Sequence, residues 1–311
     1  MTPEERDTLL ELLSHVFESD DEIDGLVYLD IQKIFYHLRE RLDDENTIKE
    51  LLPYYWYIDG VVSDTVQETV NHGLDTGVLQ SKPTAGTGTG EWYEPGQEGV
   101  TPAEGIGEDD IATAKREIKL AIEEDYDVFR SHEDKIQDVY GEAPYDFQRY
   151  FKLNILFAIE QFSNDRPLYL GTDNLASEIS TAEAYLPLDT EFDEFNTLFS
   201  RYVNTAKRYL SAVGEQNRIL ADRFKQLSDG VWRLYCQQLR LLEHDSYYDS
   251  KREEWEDEYQ RTRQFVANDL VEFRQAIDDE FDEANESNRV SEDSSWGKIA
   301  AKYLDNQSSG E

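Results

Sequence analysis

The chain has one cysteine, one methionine and no long apolar run, and each scarcity excludes a class of protein. The single cysteine, Cys236, excludes an intrachain disulfide framework and a cysteine-based zinc site. Without a run of about 18 apolar residues, the sequence predicts no transmembrane helix. The charged residues 1–10 lack the apolar core of a signal peptide. We therefore expect a cytoplasmic protein with no membrane partner.

Patterns of catalytic and metal-binding residues are also missing from the sequence. The five histidines are scattered singly, without the spacing of metal ligands. The chain has no His-Glu-x-x-His, no Gly-x-Ser-x-Gly and no Glu-x-x-His pair of a di-metal bundle. We therefore predict no catalytic residues, no metal site and no cofactor, and expect a protein that is not an enzyme.

Acidic charge is present in large excess. Asp and Glu number 68 against 30 Lys and Arg, which gives a formal net charge of -38. Self-repulsion at this charge destabilises a compact state at low ionic strength, whereas at molar salt the screening length falls to about 3 Å. Because the acids are spread along most of the chain, we predict adaptation to a salt-rich, halophilic cytoplasm. An acidic surface of this kind is not by itself a binding signal.

Residues 1–80 combine short amphipathic helices with one aromatic segment. Apolar residues recur at helical spacing as far as Leu42. Residues 54–60, which are aromatic and β-branched and lie between Pro and Gly, favour a short strand. A helix is predicted to begin at Ser63 and to end near Gly73, and Gly77 then turns the chain.

Three short motifs in this region resemble a known family. They are Gln-Lys-Ile-Phe-Tyr at 32–36, Tyr-Trp-Tyr-x-x-Gly-x-x-Ser at 55–63 and Gly-Val-Leu at 77–79. Together they are similar to the winged-helix-type domains of Panacea (SocA-like) antitoxins, although Val61 stands where that family usually has Pro. The resemblance implies a winged-helix-like domain over 1–80, with an antitoxin, chaperone-adaptor or regulatory role.

The charge of this region bears on DNA binding. Residues 1–80 hold 19 acids and 5 bases, and the predicted recognition helix has no Lys or Arg. DNA binding needs cations against phosphate, and Arg, Lys, Asn or Gln at base edges. Because only Gln67 and Asn71 qualify, protein docking is favoured over DNA readout.

Residues 81–107 are rich in Gly, Thr and Pro and are interrupted by Trp92 and Tyr93. This composition favours a flexible linker with a docked aromatic segment. The alternative is an extended wing whose return strand carries the two aromatic residues.

Residues 108–285 are predicted to form a helical bundle. Apolar residues from Phe192 to Val213 alternate three and four apart, as in a helix that packs along its length on a coiled-coil partner. The predicted fold class is mainly α, with the bundle built on a long antiparallel hairpin of helices over about 191–242 and 251–283. Residues 286–311 are predicted to be an acidic and polar tail with a short amphipathic segment.

One stretch departs from the acidic composition. Between Asn196 and Leu242 there are 3 acids and 8 bases. These bases are the candidate partner- or anion-binding residues and are called the cationic stripe: Arg201, Lys207, Arg208, Arg218, Arg223, Lys225, Arg233 and Arg240. Either they neutralise acids of the second helix or of the first domain, or they bind an acidic protein or a nucleic-acid backbone.

These observations favour a non-catalytic regulatory or antitoxin-type adaptor that acts by protein–protein interaction. The alternative is a nucleic-acid-binding transcriptional regulator that uses the cationic stripe. The long helices also offer a surface through which two copies of the chain would form a homodimer.

Overall fold

The computed structural model describes residues 1–20, 22–83, 91–100, 106–125, 127–128, 131–164, 171–213 and 220–292. Within these residues the protein is mainly helical, as predicted, with two small antiparallel sheets. The chain divides into two compact units. Unit 1 comprises Met1–Ala143 with Cys236–Glu258, and unit 2 comprises Pro144–Tyr235 with Tyr259–Glu311.

Unit 1 contains α-helices and all the strands described here. Its helices are α1 Pro3–Glu18, α2 Tyr28–Arg41, α3 Thr47–Glu50, α4 Asp64–Thr76, α5 Glu108–Leu120 and α6 His132–Gly141. Its strands are β1 Leu26–Val27, β2 Tyr55–Tyr57, β3 Gly60–Val62, β4 Leu79–Pro83 and β5 Glu91–Pro95. A π-helical turn, Ala121–Asp125, continues α5 without a break.

The core of unit 1 is shared by α1, α2, α4 and α5. Leu13, Ile34 and Val70 are fully buried, and Ile118 of α5 lies in the same cluster. The sequence predicted a domain boundary between residues 107 and 108, whereas unit 1 continues to Ala143. Because α5 has one apolar face and that face packs on α1 and α2, it belongs with the N-terminal residues and not with the predicted bundle.

The larger sheet has the strand order β1-β5-β4. β4 and β5 pair antiparallel from Leu79↔Pro95 to Pro83↔Glu91, and β1 pairs with β5 through Leu26↔Tyr93. Residues 81–83 and 91–95 of the predicted linker therefore lie in paired strands, and Tyr93 of β5 buries its ring in the core. Residues 84–90 and 101–105 of that segment lie outside the described residues.

The predicted aromatic strand is β2, which pairs with β3 through Tyr55↔Val62 and Tyr57↔Gly60. Gly60 has φ +118°, a conformation that favours glycine, at the end of the two-residue turn. α4 follows directly, as predicted, but it continues past the predicted end near Gly73 to Thr76, where Gly77 forms a left-handed cap.

Unit 2 is helical throughout its described residues. Its helices are α7 Asp146–Tyr150, α8 Phe157–Ser163, α9 Thr172–Thr181 and α10 Asp193–Val213, and residues of both units occur in α11 Ala221–Leu241 and α12 Arg252–Glu292. A π-helical segment, Phe151–Leu156, joins α7 to α8. Short 3₁₀ turns occur at Ala182–Tyr185 and Thr190–Phe192 of unit 2 and at Ser246–Tyr248 of unit 1.

Aromatic rings fill the interior of unit 2. The rings of Phe147 and Phe199 lie 4.9 Å apart, edge to face, and Tyr209 and Phe224 of the predicted seam lie 5.3 Å and 6.1 Å from Phe273 of α12. Such ring pairs are favourable beyond the apolar area that they bury. The seam read from the sequence is therefore a buried packing face.

The first helix of the predicted hairpin, over about 191–242, is divided in two, because α10 ends at Val213 and α11 begins at Ala221. Leu220 has φ +67°, a left-handed conformation that a right-handed helix cannot include. The second helix, α12, extends past the predicted end at 283 as far as Glu292. Residues 293–311 of the predicted tail lie outside the described residues.

Candidate functional site

Half of the cationic stripe is neutralised by carboxylates. The ion pairs are Arg208 with Asp278, Arg223 with Asp269 and Glu272, Lys225 with Asp229, and Arg240 with Glu258. Apart from Asp229, these acids all lie on α12. The second helix therefore supplies most of the negative charge for these cations, in line with the neutralisation reading.

Three other cations of the stripe face solvent. Arg201, Lys207 and Arg233 are exposed and form no ion pair with a described residue. Arg201 and Arg274 line an open groove between α10 and α12 that has no carboxylate among its lining residues. Arg218 lies outside the described residues. The seven described cations thus have several environments and do not form one continuous binding face.

Arg240, the last cation of the stripe, is buried in unit 1 at 6% exposure. Its guanidinium carbon lies 4.6 Å from the ring centroid of Trp255, 5.0 Å from that of Tyr57 and 6.0 Å from that of Tyr55. Glu258 pairs with the same guanidinium. This aromatic box holds the end of α11 on the β2–β3 hairpin and leaves Arg240 closed to an external anion.

The outer surface of α4 is acidic. Glu68, Asn71 and Asp75 are exposed, and Asp64 and Gln67 are half-buried. α4 contains no Lys or Arg, so no cation of this helix is available to neutralise phosphate. The buried side of the helix, including Val66 and Val70, belongs to the core.

The first residue of α4 is also covered by residues 245–255, which we call the covering segment. Lys251 Nζ lies 2.7 Å from Asp64 Oδ2, and the Tyr55 hydroxyl donates to Asp64 Oδ1 at 3.0 Å. The Tyr248 hydroxyl donates to the carbonyl of Pro53 at 2.9 Å, and the ring of Trp255 lies 5.0 Å from that of Tyr55, tilted by 52°. The N-terminal end of α4 is thus occupied by the protein's own chain.

The Gln-Lys pair of α2 fixes the entry to α4. The Gln32 amide donates to the Ser63 carbonyl at 3.0 Å and accepts from the Ser63 N–H at 2.9 Å. Lys33 Nζ donates to the carbonyl of Val61 at 3.2 Å. The motif that carries the family resemblance therefore has a structural role, because it pairs backbone groups that would otherwise be buried without partners.

A cavity of about 240 Å³ lies beside this entry. Lys33, Tyr36 and His37 line it from one face of α2, as positions three and four apart in a helix do. The other walls come from the β2–β3 hairpin, from the π-helical turn and from the end of α6. They consist of Trp56, Val61, Asp125, Asp138, Val139 and Glu142.

The ionisable groups of the cavity have shifted pKa values. Burial lowers the pKa of Lys33 to about 7, and burial also lowers the pKa of His37. A hydrogen bond from Arg41 lowers the pKa of Asp125, whose Oδ1 lies 3.0 Å from Arg41 Nη2. A concave site with shifted groups of this kind is typical of functional sites.

Sequence reasoning did not single out this cavity. Lys33 appeared only as part of a family motif, and Asp125 and Glu142 were indistinguishable from the many other acids. The one sequence feature that could have indicated the site is the position of Lys33 between the apolar residues Ile31 and Ile34 of α2. Its burial depends on the β2–β3 hairpin, which no local pattern joins to α2.

Membrane and metal sites have no counterpart in the described part of the chain. No helix there is long and apolar enough to cross a bilayer. No group of three or more His, Cys, Asp or Glu in the described ranges is arranged to hold a metal ion. Comparison with known families, with curated proteins and with solved structures finds no match to this chain.

Proposed function

We propose that the protein is a non-catalytic regulatory adaptor of the antitoxin type, from a salt-adapted organism, and that unit 1 is a winged-helix-like module that docks another protein. The strand order β1-β5-β4, with α4 leading into β4, supports the winged-helix interpretation. The single observation that carries the function is the surface of α4. The helix is acidic on its outer face, and Lys251 of the covering segment donates to the carboxylate of its first residue, Asp64.

These two features oppose DNA readout. A recognition helix presents its N-terminal residues to base edges in the major groove. Here Asp64 is bonded to Lys251 and Tyr55, and the exposed Glu68 and Asp75 would repel phosphate. A protein partner with basic side chains would instead complement this surface.

The test is affinity capture in molar KCl with full-length protein as bait. The charge-reversal variant Glu68→Lys/Asp75→Lys changes the exposed face of α4. The matched variant Asp43→Lys/Glu45→Lys reverses two exposed acids of the loop after α2. We expect a partner that the wild type and the matched variant retain, and that the α4 variant binds about tenfold or more weakly. Recovery of the bait alone in all three cases contradicts the proposal.

Nucleic-acid regulation is the second candidate, and the exposed Arg201, Lys207 and Arg233 favour it. Titration of labelled duplex DNA and RNA over a range of KCl concentrations tests it. A phosphate-dependent complex weakens steeply as salt rises. Binding that Arg201→Glu/Arg233→Glu abolishes would support this candidate over the adaptor. The same helices supply the proposed homodimer surface, for which light scattering in molar KCl is the measurement.

A further inference from the structure

Unit 1 buries two lysines in different ways. Lys135 Nζ lies 2.7 Å from Asp30 Oδ1 and donates to the carbonyl of Val128 at 2.8 Å. Lys33 is 1% exposed, and within the described residues no carboxylate lies within ion-pair distance of it. A buried ammonium without a carboxylate partner is costly, and such a lysine loses its proton instead. Burial accordingly lowers the pKa of Lys33 to about 7, so about half of its Nζ is an uncharged amine at neutral pH.

The hydrogen bond of Lys33 is compatible with this form. A neutral amine still donates to the carbonyl of Val61, and the nitrogen lone pair then remains for other chemistry. Nζ also lies close to the backbone of Gly60, where a Cβ would come within 2.6 Å of it.

Lys33 lines the cavity together with exposed and buried residues. Asp125, Asp138 and Glu142 are exposed at its edge, whereas Lys33 and Val61 are buried within. The carboxylates disfavour an anionic guest and stabilise a cation. Trp56 and Tyr36 add ring faces, which also attract cations. The site is thus shaped for a small neutral molecule that becomes positively charged when it reacts.

We propose that this cavity binds a small neutral aldehyde or ketone, which condenses with Nζ of Lys33 to form a protonated imine. The Nζ lone pair forms a bond to the carbonyl carbon, and the C=O π electrons move to oxygen. Proton transfer from nitrogen to oxygen gives the carbinolamine. Addition of one proton from solvent lets the hydroxyl leave as water while the C=N bond forms. One amine, one carbonyl compound and one proton give one protonated imine and one water.

The test is reductive trapping on the full-length wild-type chain in molar KCl at neutral pH. Propanal and sodium cyanoborohydride convert each imine to a stable propyl-lysine, and peptide mass spectrometry follows every lysine over time. A lysine of ordinary pKa has roughly one amine in 10³ uncharged at neutral pH, whereas about half of Lys33 is uncharged. We expect Lys33 to be alkylated at least about tenfold faster than Lys135 and the exposed lysines. Equal or slower modification of Lys33 overturns the proposal.

Two variants locate the reaction. Gly60→Ala places a methyl group against Nζ and is expected to slow labelling of Lys33 without changing the labelling of exposed lysines. Lys33→Met removes the fast-reacting amine and leaves the other adducts. Glyoxylate, an anionic aldehyde, is expected to react more slowly than propanal at Lys33, because of the carboxylates. If labelling of Lys33 instead rises with added urea in step with unfolding, the reaction belongs to the unfolded chain and the proposal fails.

Discussion

Arg240→Ala is the substitution that most directly tests the aromatic box of unit 1. The guanidinium contacts the rings of Tyr55, Tyr57 and Trp255 and pairs with Glu258. Truncation to Ala removes all of these contacts at once. It also leaves the Glu258 carboxylate without its partner.

The expected loss of stability in Arg240→Ala has two contributions. Contact of a cation with aromatic rings is worth about 0.5–1 kcal/mol at exposed sites and about 2 kcal/mol when desolvated. Loss of one partner of a buried ion pair costs about 3–5 kcal/mol. This second figure must be discounted, because the Glu258 side chain is 36% exposed. We therefore expect the free energy of unfolding to fall by roughly 2–4 kcal/mol, which lowers Tm by roughly 4–16 °C.

The assay is thermal unfolding in molar KCl, followed by the near-ultraviolet circular dichroism of the aromatic rings. Arg240→Lys keeps the charge but loses the planar stacking, so we expect an intermediate loss. Arg116→Ala is the control, since Arg116 is 68% exposed and, among the residues that the structure describes, pairs with its neighbour Glu117 alone. That change is expected to stay within about 0.5 kcal/mol. If Arg240→Ala is no more destabilising than Arg116→Ala, the box does not stabilise unit 1.

Three further outcomes follow from the buried ionisable groups. Lys135→Met leaves the buried Asp30 without its ion-pair partner and is expected to cost about 3–5 kcal/mol in urea unfolding, against little change for the exposed Lys119→Met. Burial lowers the pKa of Lys33 to about 7. The unfolded chain, with a lysine pKa near 10.4, therefore binds more protons between about pH 7 and 10, and the free energy of unfolding should rise with pH across that window. Lys33→Met should reduce this rise of the unfolding free energy with pH. A wild-type unfolding free energy that stays constant between about pH 7 and 10 would contradict the prediction. Burial raises the pKa of Tyr28 to about 12, so its contribution to stability is complete below pH 10 and is lost as pH rises toward 12, which phenolate absorbance will follow.

Local patterns were enough to predict the helical elements. The alternating seam from Phe192 predicted α10, and Ser63 predicted the start of α4, whereas the predicted end near Gly73 falls before its last residue, Thr76. These features depend on residues within one or two turns of each other. The left-handed conformation of Leu220, directly before α11, was not predicted, because a leucine gives no sign of it.

Long-range pairing is what the sequence did not reveal. The sequence around Trp92 and Tyr93 was compatible with both a linker and a return strand. Only the pairing of these residues with β1 and β4 distinguishes the two alternatives. The environments of the cationic stripe likewise depend on the register of α12 against α10 and α11. Lys33 is the clearest example, because its burial without a carboxylate partner among the described residues depends on the folded neighbours and not on its place in the chain.

Unit 1 is built from two separated stretches of the chain, and this has a consequence for its biosynthesis. Tyr248 donates to the carbonyl of Pro53, 195 residues earlier. At synthesis rates of about 5–20 residues per second, roughly 10–40 s pass between the two residues. The aromatic face of the β2–β3 hairpin therefore leaves the ribosome long before its covering segment exists. A chain cut short before Tyr248 would lack part of its N-terminal unit, and a circular permutant that begins at Cys236 would make that part first.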